Sequence, residues 1–524
     1  KSEKWPGKPG HFFCSREPCE RRGSTGIIGI HHQPGRPSHK DPIIDPHQTL
    51  LQTCRALEIQ GLYSQALDAL NTAAATGGNL KISEQAVRLC LLTAAWQDLP
   101  RWSERYRQHC EDHLSRGGES RHAPGILNYL PDSQDLHRRA AGYYASQLSA
   151  GTEKLNPGLS AGDGRLAIGY LSADFQAHAV GFLLADVFQH HDREKFRVIA
   201  YDLSPAEGPL PERFRTHADL YRPVDKLSNL QTAQLIAHDG VQILIDLAGY
   251  TRDGRPGILT HRPAPLILSW LGYLNTLGAD FVDGVIADPR LLPAAEQTAY
   301  SEQILHLPGL FTPTSRLPVA SPLMSRKEAG LPADQFVFAC FNNAFKIRPE
   351  DFDAWAEILR QKENSVLWLY TAGHGDLEKG LRRQATKRGI DPARLIFAPW
   401  LPIDMHMARM PLADLFLDTI NYNAGATAVC SLSAGVPVLT KAGDRMLSRM
   451  GASLNYSLGL ESMTVSDVQT YIRSAVELAR DELKLREVRE KLKPSQENLN
   501  PLFSLVEFTA GYEQLLISAW EGIR

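Results

Sequence analysis

No run of about 18 apolar residues occurs in the 524-residue chain, so a membrane-spanning helix is not expected. Its first residues, KSEKWPGKPGHFFC, lack the apolar core of a secretory signal, and the expected compartment is the cytoplasm. An excess of one charge is missing too. With 56 Lys+Arg against 59 Asp+Glu there is no overall basic field to favour nucleic acid or an anionic membrane, although a local phosphate site is compatible with that balance. Cysteine is scarce: the seven present (Cys14, Cys19, Cys54, Cys90, Cys110, Cys340 and Cys430) are an odd, scattered set and give no disulfide framework. Cys14 and Cys19 with His31 and His32 fit no common zinc-finger spacing. The absence of a Gly-x-x-x-x-Gly-Lys-Ser/Thr loop argues against a P-loop NTPase, and the absence of a Gly-x-Ser-x-Gly elbow against an α/β hydrolase. The Asp351-Phe352-Asp353 pattern lies at an expected helix start after Pro349, where acidic residues answer the helix dipole, so no metal site is expected.

What is present is an alternation of short apolar runs and helical patterns. Residues 1–45 are rich in Gly, Pro, Arg and His and are expected to form an extended arm. From His47 the pattern turns helical over 46–160. Leu50, Leu51, Cys54 and Leu57 give one stripe, Gly61 a turn, and Tyr63, Ala66, Leu67 and Leu70 a second stripe, which resembles the middle of a tetratricopeptide repeat. Strand-like runs at 165–171, 197–203, 241–247, 265–271 and 282–287 build a first lobe, residues 161–315. A Pro- and Ser-containing linker, 316–335, leads to a second lobe, 336–460, with strands at 336–341, 365–371, 395–398, 414–417 and 436–440. Residues 461–524 read as helices that strap back across the lobes. The expected fold is α/β: two Rossmann-like lobes facing a cleft, preceded by the helical region.

Within that frame the stretch DTINYNAGATAVCSLSAGVP, residues 418–437, carries a strand, a glycine turn, a short helix and another strand. This order aims a helix N-terminus, with its unpaired N–H groups, at the carboxyl edge of a sheet where a phosphate would sit; a ligand-free βαβ connection explains the same residues. His178 follows the first strand of the first lobe at a helix start, suited to a general base or a substrate contact, or simply to capping the helix. Lys346 follows the first strand of the second lobe and can neutralise a leaving diphosphate, though an exposed lysine needs no such role. His406 and Arg409 share one helical face and suit a base and a ribose or phosphate; a solvated face is the plain alternative. Gly249-Tyr250-Thr251 and Trp270-Leu271-Gly272-Tyr273 end strands of the first lobe, where glycines permit close approach to a sugar.

These segments together resemble the O-linked β-N-acetylglucosamine transferase family. The resemblance runs in order through Ile168–Phe175 with His178, Arg262–Tyr273, Phe341-Asn342 with Lys346-Ile347, Asn364–Leu369 and Leu412–Gly435. It implies a GT-B fold with tetratricopeptide-like helices. It also implies metal-independent inverting transfer of N-acetylglucosamine from UDP-GlcNAc to Ser or Thr hydroxyls, with a protein or peptide acceptor and no cofactor. Carried over by position, His178 is the base or a substrate ligand, and Lys346 stabilises the diphosphate with Asn343 and Phe345 near the nucleotide. His406 and Arg409 recognise uridine, Gly425, Ala426 and Thr427 hold the phosphates, and Leu271 and Gly272 touch the sugar. Asp239, taken to lie on the strand ending at Gly249, competes with His178 as base. The chain departs from animal members, which have a His-Thr-Thr run where it has Gly425-Ala426-Thr427 and an Asp where it has Cys430. The Tyr422-Asn423-Ala424-Gly425 turn is closer to the plant O-fucosyltransferase branch. GDP-fucose or UDP-glucose therefore stands as an alternative donor, and a nucleotide-binding scaffold as an alternative function.

Overall fold

The computed structural model describes residues 46–73, 78–117, 122–158, 164–314, 317–493 and 504–523. The expected arm, with Cys14, Cys19, His31 and His32, lies outside the described residues. The chain then opens with α1 (Pro46–Ile59), α2 (Tyr63–Ala73), α3 (Leu80–Leu92), α4 (Leu99–Arg116) and α5 (Gln134–Ser149). α1 pairs with α2 and α3 with α4 as helical hairpins. Gly61 supplies the left-handed turn between the first two, at φ +74, and fully buried Ala66 lets them touch. Two hairpins cannot bury their own apolar faces, and they dock on the α/β part of the chain. Trp96 packs edge-on against Phe352 with centroids 5.4 Å apart. The contact is close enough that a Cβ at Gly380 would lie 1.9 Å from the Thr93 carbonyl oxygen.

The first lobe holds β1 (Leu166–Ser172), β2 (Phe196–Asp202), β3 (Leu220–Pro223), β4 (Ile243–Asp246), β5 (Leu266–Ser269), β6 (Gly284–Ala287) and β7 (Gln303–His306). Its order is β3-β2-β1-β4-β5-β6-β7 and every pair is parallel. α6 (Ala179–His190), α7 (Pro209–His217) and α8 (Asn229–His238) cross between strands. The second lobe holds β8 (Phe336–Cys340), β9 (Ser365–Tyr370), β10 (Leu395–Ala398), β11 (Leu415–Leu417), β12 (Val438–Lys441) and β13 (Thr464–Val465), in the order β10-β9-β8-β11-β12-β13. Its helices are α9 (Pro349–Gln361), α10 (Gly375–Lys387), α11 (Ile403–Arg409), α12 (Ala426–Ser433) and α13 (Met450–Ser457). In each sheet the order of strand addition reverses once, between β1 and β4 and between β8 and β11, with the strands themselves parallel. At such a switch point the crossover loops part and leave a crevice at the carboxyl ends of the strands.

β3, β7, α7 and β13 escaped the sequence reading. β3 and β7 are edge strands whose residues stay partly exposed, so the continuous apolar run of a buried parallel strand is missing. α7 is written PLPERFRTH, where two prolines disguise a helix they only start. β13 carries the second sheet beyond the expected boundary at 460.

Past the lobes come α14 (Val468–Arg480), α15 (Glu482–Leu492) and α16 (Leu505–Glu521). α14 packs on α9 and β12 of the second lobe, and α16 crosses back to α6 and β7 of the first. There Tyr512 stacks on Trp270 at 4.5 Å, and buried His191 joins Glu513 at 2.8 Å and the Tyr170 hydroxyl at 2.8 Å. The lobes also meet directly through the Arg449–Glu296 ion pair, 3.1 Å, and the Arg290 guanidinium over the Tyr456 ring at 4.0 Å. No described helix is long and apolar enough to cross a membrane.

Candidate active site

At the switch point of the second lobe, β11 runs into Asp418, a fully buried carboxylate that organises the turn. Its Oδ1 accepts from the backbone N–H groups of Thr419 (2.8 Å) and Ala424 (2.7 Å) and from Asn342 Nδ2 (3.2 Å), while Oδ2 accepts from Thr440 Oγ1 (2.8 Å). Burial raises this carboxyl to about 6 in spite of those donors. The turn closes on Gly425, and α12 begins with no side chain capping it. The first-turn N–H groups of α12 are therefore not consumed by an N-cap residue. Gly425 and Ala426 stay partly exposed, whereas Thr427 is buried and its hydroxyl donates to Asn342 Oδ1 at 2.6 Å. Across the cleft α12 packs against α6 of the first lobe.

Beside this turn, a short 3-10 turn follows β8. Asn343 caps it, its side chain accepting from the Phe345 N–H at 3.1 Å, and Lys346 closes it. The half-buried Lys346 donates from Nζ to the Asn423 carbonyl at 2.8 Å and lies 3.9 Å from the centroid of the Tyr422 ring. Burial lowers its ammonium to about 8, and the neighbouring Asp418 charge works against that shift. Lys346 and Thr427 thus join one network, through Asn423 on one side and Asn342 on the other.

His178 caps α6 at the carboxyl end of β1. Its Nδ1 accepts from the Val180 N–H at 3.3 Å, with Asp174 Oδ2 also 3.3 Å away, and 40% of the side chain is exposed. Nδ1 therefore lies between the Val180 N–H and the Asp174 carboxylate, and Nε2 is the ring nitrogen available to a substrate as donor or acceptor.

Several expectations are corrected. Asp239 is not on a strand but caps the carboxyl end of α8, before β4. It pairs with Arg222 at 2.7 Å and accepts from the Tyr201 hydroxyl at 2.9 Å, at the edge of the sheet opposite the crevice. Tyr250 is a core residue: its hydroxyl donates to the Leu277 carbonyl at 2.6 Å, and its ring meets Tyr144 and Tyr273 edge-on. The glycines of the first lobe serve close packing within the protein. A Cβ at Gly272 would lie 1.9 Å from the Leu247 carbonyl oxygen, and one at Gly249 would lie 2.6 Å from Tyr273 Cβ. Leu271 is buried with φ +70, a left-handed conformation that costs a leucine about 1–2 kcal/mol. The face carrying His406 and Arg409 is buried rather than solvated. Arg409 bonds His406 Nδ1 at 2.8 Å and the Pro399 carbonyl at 2.7 Å, and its guanidinium lies over the Phe341 ring. Burial, then Arg409, depresses His406 to about 3, so the imidazole is neutral. Asp351 caps α9 as expected, while Asp353 pairs with Arg388.

The family model described as glycosyl transferase family 41 matches residues 149–314 and 312–511. The chain belongs to glycosyl transferase family 41. Among relatives of this family 41 chain, the probable UDP-N-acetylglucosamine--peptide N-acetylglucosaminyltransferase SEC of Arabidopsis thaliana is 33% identical over 367 residues, 68% of this chain and 37% of the relative. The probable UDP-N-acetylglucosamine--peptide N-acetylglucosaminyltransferase SPINDLY of Solanum lycopersicum is 30% identical over 364 residues, 68% of this chain and 39% of the relative. The family 41 chain therefore spans about two fifths of the length of these curated relatives. A solved O-GlcNAc transferase of Thermobaculum terrenum, a lysine-to-methionine variant, superposes with a TM-score of 0.76 at 26% identity, covering 91% of this chain and 92% of that one. The architecture is GT-B, with the family's two lobes preceded by helices.

Asp418, Asn342, Tyr422 and Tyr129 were given no role from sequence, although the first two organise the turn from within and the two tyrosines, partly exposed, lie beside it. Asp418 left one signal, an acid directly after an apolar strand and before a glycine turn. Tyr129 left none, because it comes from the helical region and reaches the turn only through the tertiary fold.

Proposed function

We propose that the protein is a metal-independent, inverting glycosyltransferase that moves N-acetylglucosamine from UDP-GlcNAc to Ser or Thr hydroxyls of a protein acceptor. One observation carries this reading: the Lys346 ammonium sits 2.8 Å from the Asn423 carbonyl, on the turn that runs into the uncapped start of α12. As the acceptor oxygen bonds to the anomeric carbon, its proton passing to water or to the leaving diphosphate, and the bond to the diphosphate breaks, negative charge grows on the departing phosphate oxygen. Backbone dipoles at Gly425, Ala426 and Thr427 meet that charge from the helix, and the Lys346 ammonium meets it from beside the turn, supplying the charge balance otherwise given by a divalent cation. The donor is inferred from the names of the Arabidopsis and tomato relatives and of the Thermobaculum structure.

Cys430, where animal members carry an acid, is buried and its thiol is pushed up to about 12, so it stays neutral and adds no charge to the helix. His178 enters as a substrate contact through Nε2, the ring nitrogen not engaged by Val180 or Asp174. His406, neutral and bonded to Arg409, forms the floor of the uridine side. The free, buried thiols of Cys54, Cys90, Cys110, Cys340 and Cys430 suit the reducing cytoplasm.

The test presents the purified chain with labelled UDP-GlcNAc, UDP-glucose and GDP-fucose, a peptide mixture, and a chelator in half the reactions. Chelator-resistant transfer from UDP-GlcNAc to Ser or Thr is the expected result. Transfer only from another donor replaces the sugar, and nucleotide binding without transfer replaces the enzyme with a scaffold.

A further inference from the structure

Lys346 does not stand alone at the crevice. Its ammonium faces the Tyr422 ring at 3.9 Å, the Tyr422 ring lies 5.4 Å from that of Tyr129 with 34° between planes, and Tyr129 lies 5.5 Å from Phe345. All three rings are only partly buried, so they form an aromatic wall beside the turn rather than part of the core. We propose that Tyr422 is a positioning residue for Lys346: its ring face, braced by Tyr129 of the helical region and by Phe345, holds the ammonium against the turn that opens α12. The inference rests on the reading of Lys346 as the charge that meets the departing diphosphate.

Three observations support it. A lysine side chain has four rotatable bonds and a strongly hydrated head, so a single hydrogen bond to the Asn423 carbonyl leaves its direction loosely defined. A ring face within about 6 Å adds an attraction that strengthens when the cation is desolvated, and Lys346 is desolvated. Tyr422 is itself held by a clamp that comes from outside its lobe. Arg348 Nη1 donates to the Tyr129 carbonyl at 3.0 Å, and Arg445 bridges the Leu130 carbonyl, 3.1 Å, and Asn421 Oδ1, 2.7 Å. Through these two arginines the segment between α4 and α5 is fixed to the loops that follow β8 and β11. The helical region is thereby a structural component of the crevice, and not only a platform for partners.

The ionisable groups that face Lys346 are Asp418 from the turn after β11 and Cys340 at the end of β8. Asp351 of α9 spends its carboxylate on the N–H groups of Arg348 and Ile420. The guanidiniums of Arg348 and Arg445 are turned to carbonyls of the helical region. None of these is altered by substitution of Tyr422, which makes the ring separable from the charges.

The test is competitive labelling of the unliganded full chain with acetic anhydride across pH, reading the acylation of Lys346 by mass spectrometry, alongside kcat and KM with UDP-GlcNAc. Tyr422→Leu keeps an apolar side chain at this position but removes the ring face. The Lys346 midpoint is expected to fall by about one pH unit, with kcat down about tenfold and KM little changed. Tyr422→Phe keeps the ring and is expected to restore both. An unmoved midpoint in Tyr422→Leu, or a shift in Tyr422→Phe as large as in Tyr422→Leu, overturns the proposal. If Tyr422→Leu does not fold, Tyr129→Leu removes only the brace and is expected to give a smaller downward shift; no shift there overturns it too. Because labelling needs no substrate, a chain that transfers no sugar removes the glycosyltransferase reading while the midpoints still decide the role of Tyr422.

Discussion

Thr427 Oγ1 donates to Asn342 Oδ1 at 2.6 Å, which fastens the first turn of α12 to the loop that follows β8. Asn342 completes the link by donating from Nδ2 to Thr419 Oγ1 at 2.7 Å. The helix proposed to offer its N–H groups to a phosphate is therefore held by side chains from the loops after the two strands that flank the switch point.

Substituting Thr427 by Val keeps the shape and removes the donor. Asn342 is fully buried, so its Oδ1 would be left without that hydrogen bond at a cost of about 1–3 kcal/mol. Thr427→Val is expected to weaken UDP binding about tenfold and to lower the urea midpoint. Calorimetry showing wild-type UDP affinity would mean that the start of α12 is held by other means.

Lys346→Ala is expected to lower kcat by about two orders of magnitude or more, the size of effect seen when a donor to developing charge is removed. The wild type should also lose activity as pH rises through about 8, where the ammonium gives up its proton. Lys346→Arg, permanently protonated, should lack that alkaline limb even if its kcat is reduced. A pH profile of kcat with the same limb in Lys346→Arg would assign the titration to another group.

His178 offers a sharper choice. If it donates from Nε2, Gln at this position can place an amide N–H near the same spot, and His178→Gln should retain clearly more activity than His178→Ala. A general base has no such substitute. Equal loss in both variants, at unchanged thermal stability, would return His178 to the role of base.

The lobes were legible because buried parallel strands read as short apolar runs between turns, as in Leu166–Ser172 and Phe336–Cys340. The places of Lys346, His178 and Thr427 were legible because the first two lie in the turns that follow β8 and β1 and the third in the first turn of the helix after β11, all beside the switch points. Asp239 misled because an acid two residues before an apolar run can belong to either the strand or the preceding helix, and the capping of α8 decided it. For His406 and Arg409 it was the solvated-face alternative that failed. Their i, i+3 spacing marks a shared face but not what covers it, and here the Phe341 and Trp368 rings do. Tyr129 belongs to contacts more than 200 residues apart in sequence, such as Arg348 to Tyr129, which no local pattern encodes.

The bare Cα of Gly451, in α13, lies against the Asp418 network. A Cβ there would come within 2.6 Å of both Asp418 Oδ2 and Thr440 Oγ1. Gly451→Ala raises helix propensity by about 1 kcal/mol, yet the clash should outweigh this and displace the turn after β11. Lower thermal stability together with weaker UDP binding is the expected pair of results. A stabilised variant with normal affinity would show that Asp418 has room to move.

Asp351 gives a test on stability rather than activity. Its two oxygens accept from the N–H groups of Arg348 and Ile420, both at 2.7 Å, so one carboxyl joins the start of α9 to the turn after β11. Burial raises it to about 7, above the roughly 3.9 of an unfolded aspartate. Between those values the folded chain keeps a proton that the unfolded chain has lost. The stability this contributes is complete below about pH 4 and is lost as pH rises through 7. Asp351→Asn removes the titration and turns an amide donor toward one of the two N–H groups, at a cost of about 1–3 kcal/mol. Urea midpoints at pH 4.5 and pH 8 should therefore differ more in the wild type than in Asp351→Asn, with the gap between the proteins narrowing at pH 8. A gap that widens toward pH 8 would mean that the carboxyl titrates below its unfolded value, and that the two N–H groups outweigh its burial.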